Sequence, residues 1–165
     1  MNDGNLRITL IGGPTALLEI AGLHMLTDPT FDPAGGEYTT GPVTLRKLSG
    51  PALGLDVIGH VDAVLLSHDQ HFDNLDHEGR AMLGKAGCVF TTASGGERLG
   101  GQTVGLKCWQ SATLSAPDGR TLRITATPGR HGPPGIEPVS GEVTGFVLAF
   151  DDRPSEAVYG GRAHR

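Results

Sequence analysis

The sequence predicts one domain of mixed α and β structure, rich in sheet, on three observations. Glycine and proline are abundant, 26 and 11 of 165 residues, while aromatic residues make up only 5%. That balance favours many turns between short elements over a helical bundle. Short runs that alternate or are continuously apolar recur along the chain, as strands do. One of them leads through a polar loop directly into a helix signal. A chain of this length buries a core without disulfides or metal as scaffolding.

Leu6-Arg7-Ile8-Thr9-Leu10-Ile11 alternates, breaks at Gly12-Gly13-Pro14 and resumes as Thr15-Ala16-Leu17-Leu18-Glu19-Ile20, which predicts a hairpin. A third strand, Leu23 to Thr27, ends in Asp28-Pro29-Thr30-Phe31-Asp32-Pro33. Prolines and carboxylates in that pattern make an irregular loop. Ala34 to Gly54 reads as loop, long enough to be functional. Val61 to Leu66 is a compact apolar run, a strand buried on both faces. It delivers the chain into Ser67-His68-Asp69-Gln70-His71-Phe72-Asp73-Asn74-Leu75-Asp76. Asp73 or Asn74 then caps a helix through Leu75, Met82 and Leu83, with Gly84 or Gly87 as its stop. Cys88 to Thr92 is a strand, and Gly95 to Gly100 a helical turn. Asp118-Gly119 joins Thr113-Leu114-Ser115 to Thr121–Ala126 as a second hairpin. Val143 to Phe150 is a strand stopped at Asp151-Asp152-Arg153-Pro154.

A net charge of −5 without a Lys/Arg cluster excludes a phosphate-tracking surface, so no nucleic-acid partner is expected. Cys88 and Cys108 are far apart and form no CxxC pair, so they predict neither a disulfide framework nor a cysteine zinc site. They are expected to be buried thiols in a reducing cytoplasm. No basic-then-apolar leader opens the chain, and no apolar run approaches the roughly 20 residues of a membrane span. The expected location is cytoplasmic. Gly12-Gly13-Pro14 lacks the GK[ST] of a phosphate loop, and no G-x-S-x-G elbow supports serine-hydrolase chemistry.

The chemistry concentrates in the loop after the buried strand, where nine residues carry His68, Asp69, His71, Asp73 and Asp76. Such nitrogen and oxygen donors suit a borderline divalent ion such as zinc, and a strand end before a helix is a rigid base for them. The same Asp73, Asn74 and Asp76 also make ordinary helix caps. Asp28 is either turn chemistry or a carboxylate that orients a histidine. His24 reads as a packed or edge residue, while His60, His77 and His164 hold no motif position.

The pattern of apolar strand, Ser-His, acidic residue, His, Asp and Asn-Leu-Asp resembles the HxHxDH loop of the metallo-β-lactamase superfamily. It is most similar to the branch of metal-dependent hydrolases that includes ascorbate-phosphate lactonases and the phospholipase D acting on N-acyl-phosphatidylethanolamine. The opening Ile-Gly-Gly-Pro-Thr-Ala hairpin, Leu26-Thr27-Asp28-Pro29 and Thr127-Pro128-Gly129-Arg130-His131-Gly132 follow in the same order, so the resemblance runs from about Leu6 to Phe150. It implies an α+β fold, the αββα sandwich of that family, mainly its N-terminal half. It implies His68, His71, Asp73 and His131 as metal ligands, with Asp73 also handling the catalytic water. Either register of the motif loses one histidine, to Gln70 or to Asp69, and Asn74 stands where the last histidine would be. One metal site is therefore expected in place of two.

The family's further Asp ligand has no counterpart, since Glu156-Ala157-Val158-Tyr159 begins a strand and Gly160-Gly161-Arg162-Ala163-His164-Arg165 follows. Residues 1–154 are thus expected to form the incomplete domain and 155–165 an aberrant tail left by truncation or frameshift. The implied activity is metal-dependent hydrolysis of a carbonyl or phosphoryl ester-type bond in a small molecule, with zinc as the ion and manganese the alternative. The competing expectation is a non-catalytic homologue, or an interaction domain that dimerises through an exposed sheet edge; a homo-oligomer is compatible with either.

Overall fold

The computed structural model describes residues 6–40, 43–133, 141–150 and 157–160. The predicted first hairpin is present as β1 (Arg7–Gly12) and β2 (Thr15–Ile20), and β3 (Leu23–Thr27) adds antiparallel to it. The segment expected to be loop, Ala34 to Gly54, contains a second hairpin, β4 (Glu37–Thr40) with β5 (Val43–Arg46), and a single turn of helix, α1 (Leu55–Ile58), follows it. Short strands with exposed residues carry no burial periodicity, which is why the sequence hid them.

The buried run is β6 (Ala63–Leu65), every residue of it buried. It is followed by α2 (His77–Leu83), β7 (Cys88–Thr92), α3 (Ala93–Leu99) and β8 (Thr103–Leu106). The remaining strands are β9 (Ser111–Ser115), β10 (Thr121–Pro128), β11 (Thr144–Phe150) and β12 (Ala157–Gly160). They form two main sheets: six strands in the order β1-β2-β3-β6-β7-β8, parallel from β3 onward, and four antiparallel strands in the order β12-β11-β10-β9. The strand expected from Glu156 is thus β12, so four residues of the supposed tail belong to a sheet. The expected stop at Asp151 to Pro154 and the end of the tail, His164 included, lie outside the described residues.

The two sheets enclose one core between them. Leu18, Met25, Leu65 and Phe90 from the first sheet meet Leu122, Ile124, Phe146 and Phe150 from the second. On the other face of the first sheet, Leu17, Leu26, Val64 and Val89 pack with Phe31, Leu75, Met82 and Leu83 of α2 and its flanking loops. The described layers are therefore helix, sheet, sheet. The far face of the second sheet is wet: β10 alternates buried Leu122, Ile124 and Ala126 with exposed Thr121 and Arg123.

Two further expectations change. The cap of α2 is Asp76, whose side chain accepts from Gly79 N, and neither Asp73 nor Asn74 caps it. Both precede the helix in a turn closed by Leu75 N to His71 O at 3.0 Å. Cys88 is half-buried and Cys108 exposed, so neither is a core thiol. Gly79 lies so close to the 28–33 loop that an added Cβ would overlap the Pro29 carbonyl oxygen. Gly79→Ala should therefore lower stability by about 1–3 kcal/mol through overpacking. Urea denaturation is the check: an unchanged midpoint would mean that α2 is free to move away from Pro29.

Candidate metal centre

Three chain segments converge where strands end. β3 runs out into Asp28, β6 into Ser67 and His68, and β10 toward His131. Backbone bonds tie these ends together: Asp28 N donates to Leu65 O at 3.2 Å, and Thr144 N to Ser67 O at 3.0 Å. The loop from Ser67 to Asp76 thus sits outside the carboxyl end of a central parallel strand, where open sheets place their ligand sites.

His68, His71 and His131 form one cluster, with a nitrogen of each within 4.8 Å of the others. Their ring centroids lie 5.1, 4.6 and 4.7 Å apart. His68 Nε2 and His71 Nδ1 are separated by 3.3 Å. Ligand bonds of about 2.0–2.1 Å in a tetrahedron put neighbouring nitrogens about 3.4 Å apart, so this pair has the spacing of two ligands of one ion.

The proton on His68 is placed by its neighbours. Ser67 N donates to Asp28 Oδ1 at 2.6 Å, and the Ser67 hydroxyl to Asp28 Oδ2 at 2.7 Å. With its own hydrogen committed, Ser67 Oγ accepts from His68 Nδ1 at 2.9 Å. His68 therefore carries its hydrogen on Nδ1 and turns the bare lone pair of Nε2 toward His71, the tautomer a metal ligand needs. Asp28 holds this position at φ 24°, a conformation rare for a non-glycine residue. Strain of that kind costs about 1–3 kcal/mol and persists where surrounding bonds over-determine the backbone.

Burial pushes His68 down to about 3, and the nearby His131 and His71 push the same way against Asp69. Burial also lowers His71, with His131 adding to the shift and Asp73 opposing it. Both rings are accordingly neutral at pH 7 and able to ligate. The residues fit a divalent ion.

Of the other loop residues named from the sequence, the structure sends most elsewhere. Asp69 receives three hydrogen bonds from Arg98, at 2.6, 2.9 and 3.2 Å, and is buried. Burial raises its carboxyl, but the Arg98 bonds outweigh that and hold it below the usual range. Asn74 is buried too and its Nδ2 donates to the His68 carbonyl. Asp76 is a structural cap. Asp73 is exposed and lies outside the histidine cluster, close enough for its charge to act on His71. Ser67, Arg98 and Arg80, which donates to the Asp69 carbonyl, were missed as site residues. Only Ser67 left a signal, its place next to His68; the arginines lie up to 29 residues from Asp69.

No protein-family model matches the chain. Uncharacterised proteins of Mycobacterium tuberculosis and Mycobacterium bovis are 42% identical over 72 residues, 43% of this chain and 18% of theirs. An isothiocyanate hydrolase from Delia radicum gut bacteria superposes with a TM-score of 0.66 at 22% identity, over 87% of this chain and 58% of that one. A metallo hydrolase from Ignicoccus hospitalis gives 0.64 at 19% identity, over 96% and 61%. CmlA, a diiron β-hydroxylase from Streptomyces venezuelae, gives 0.61 at 18%, over 96% and 30%. A metallo hydrolase and a diiron enzyme are thus among these neighbours, and the chain shares their metallo-β-lactamase-like α+β fold. It spans about three-fifths of the two hydrolases' length. Among the described residues no helix is long and apolar enough to cross a membrane.

The lowered histidines set a pH dependence. His68 takes its proton near the ordinary 6.5 when unfolded but only near 3 when folded. The unfolded chain therefore binds more protons in that window, and stability falls as pH drops through it. Metal-free protein should show full stability above about pH 6.5 and a steady decline toward pH 3, read by urea midpoints. A midpoint that rises on acidification would contradict a buried neutral His68.

Proposed function

We propose that the chain is a metal-dependent hydrolase in which His68, His71, His131 and Asp73 hold one divalent ion. The observation that supports this most is the convergence of three imidazoles, with His68 Nε2 stripped of its proton by the Ser67 and Asp28 relay. An imidazole-rich donor set suits zinc better than manganese, which favours carboxylate and water. An ion there supplies a Lewis acid that brings the pKa of water to about 7 and polarises a carbonyl or phosphoryl oxygen.

The remaining chemistry falls to the protein. Asp73 stands outside the histidine cluster but near enough for its charge to act on His71, and its proposed part is to take the proton from the attacking water or to complete the ligand set. Ser67 and Asp28 hold the His68 ring and its tautomer, and the Asn74 amide pins the carbonyl behind it. Asn74 and Asp69 are both bound to other partners, which leaves one complete set of donors and supports a single ion. The bond cleaved is of ester type, carbonyl or phosphoryl, as in the lactonases and the phospholipase D whose histidine loop this one resembles.

Zinc titrated into metal-free protein should bind at one equivalent, followed by calorimetry or elemental analysis. His71→Ala and His131→Ala should abolish that binding, while Ser67→Ala should weaken it about 10–100-fold through the lost orientation of His68. Unchanged zinc affinity in His71→Ala would refute the ligand set, and two tightly bound equivalents would refute the single site.

A further inference from the structure

Beside the histidine loop opens a pocket of about 260 Å³ that the metal site does not explain. Phe72 and Asp73, which directly follow His71, form one wall. The β4–β5 hairpin and its exit supply another through Leu45 and Leu48, and Pro14 and Pro51 belong to the same lining. We infer that this pocket receives a compact, uncharged apolar group of the substrate, a short alkyl chain or a single aryl ring next to the bond that is cleaved. The inference takes the reaction from the hydrolase reading above, but the binding it describes does not depend on a metal.

Position is the first argument. Phe72 and Asp73 line the pocket and directly follow His71 in the chain, so the pocket adjoins the histidine loop. The second is rigidity. Tyr38, opposite Leu45 in the hairpin register, stacks on Phe72 with centroids 5.1 Å apart and planes 19° apart. Its hydroxyl donates to Asp32 at 2.7 Å, and the next residue beyond β5, Lys47, reaches buried Asp76 at 2.7 Å. The hairpin wall is held from both sides, so a ligand meets a surface already formed.

Character and size give the third and fourth arguments. Leu45 and Leu48 are 39% and 87% exposed, apolar surface that the core does not use. Apolar side chains gathered at the mouth of a cleft mark a binding surface more than scattered ones do. Lys47 is neutralised by Asp76, and the other two charged residues of the lining, Arg46 and Asp73, are of opposite sign. No net sign is left to select an anion or a cation. The volume lies just under the roughly 300–1,000 Å³ of drug-sized sites, which admits one ring and excludes a long lipid tail.

The test is ligand-observed NMR with benzyl alcohol and hexan-1-ol as probes, which contain no hydrolysable bond, and glycerol as the polar control. Benzyl alcohol should bind saturably, glycerol should not, and a chelator should leave the binding unchanged. Leu45→Asp should weaken it about tenfold, while Val57→Asp, at an exposed apolar position away from the pocket, should not. If circular dichroism shows Leu45→Asp to be unfolded, Leu48→Asp takes its place. Absence of saturable binding, or equal weakening by Val57→Asp, overturns the pocket assignment. Zinc titration fails or succeeds separately, so a pocket without a metal site and a metal site without a pocket are distinct results.

Discussion

The architecture around the site hangs on one carboxylate with no exposed surface. Asp76 accepts from Phe31 N, Asp32 N, Gly79 N and the Lys47 amine, all between 2.7 and 2.9 Å. Those four donors come from the loop after β3, the first turn of α2 and the exit of the β4–β5 hairpin. A buried carboxylate is tolerated only when its lone pairs are filled and its charge is matched, and here both conditions are met. Removing it would leave three backbone amides and an ammonium group without a partner at once. Asp32 extends the same network, accepting from Tyr38, His77 and Glu78. Burial would raise that carboxyl, but these bonds outweigh it and keep it below its ordinary value.

With its flanks fixed in this way, the loop from Ser67 to Leu75 can hold two imidazoles, the His68 ring buried and the His71 ring half-buried, close to that of His131. Packing neutral histidines against each other is unfavourable for any protonated form, and burial makes it more so. For His68 and His71 the result is lone pairs available at neutral pH without competition from protons. The relay from Asp28 through Ser67 adds direction to availability, because only one ring nitrogen of His68 is left to ligate. The arrangement is prepared before any ion arrives.

The departures from the familiar HxHxDH pattern acquire physical meaning in this setting. Asp69 is a strut that anchors the loop to α3 through Arg98. Asn74 is a second strut, fastened to the backbone of His68. Its amide oxygen is buried with no hydrogen-bond partner among the described residues. An imidazole in the same place would have to give up that backbone bond to ligate. Hence these two side chains serve rigidity, and the loop's two histidines meet His131 in the cluster.

Much of this was legible in the sequence. Alternation in β10 follows from one face of the strand being buried, and the Asp118-Gly119 turn follows from local backbone preference. The position of His68 and His71 at the end of a buried strand is likewise a local fact, and the resemblance brought His131 to the same site. What the chain could not reveal locally was the fate of the polar residues. Asp69, Asn74 and Asp76 look alike as candidate ligands or caps, and their roles were decided by Arg98, the His68 carbonyl and Lys47. The β4–β5 hairpin and the pocket it walls were hidden for the same reason, because exposed short strands carry no periodic burial. The sequence by itself determined most of the core strands and the pairing of His68 with His71, since both are written in near neighbours. Only the tertiary structure decided which polar groups face the site, since each hydrogen-bond partner comes from a distant segment and burial makes that partner obligatory.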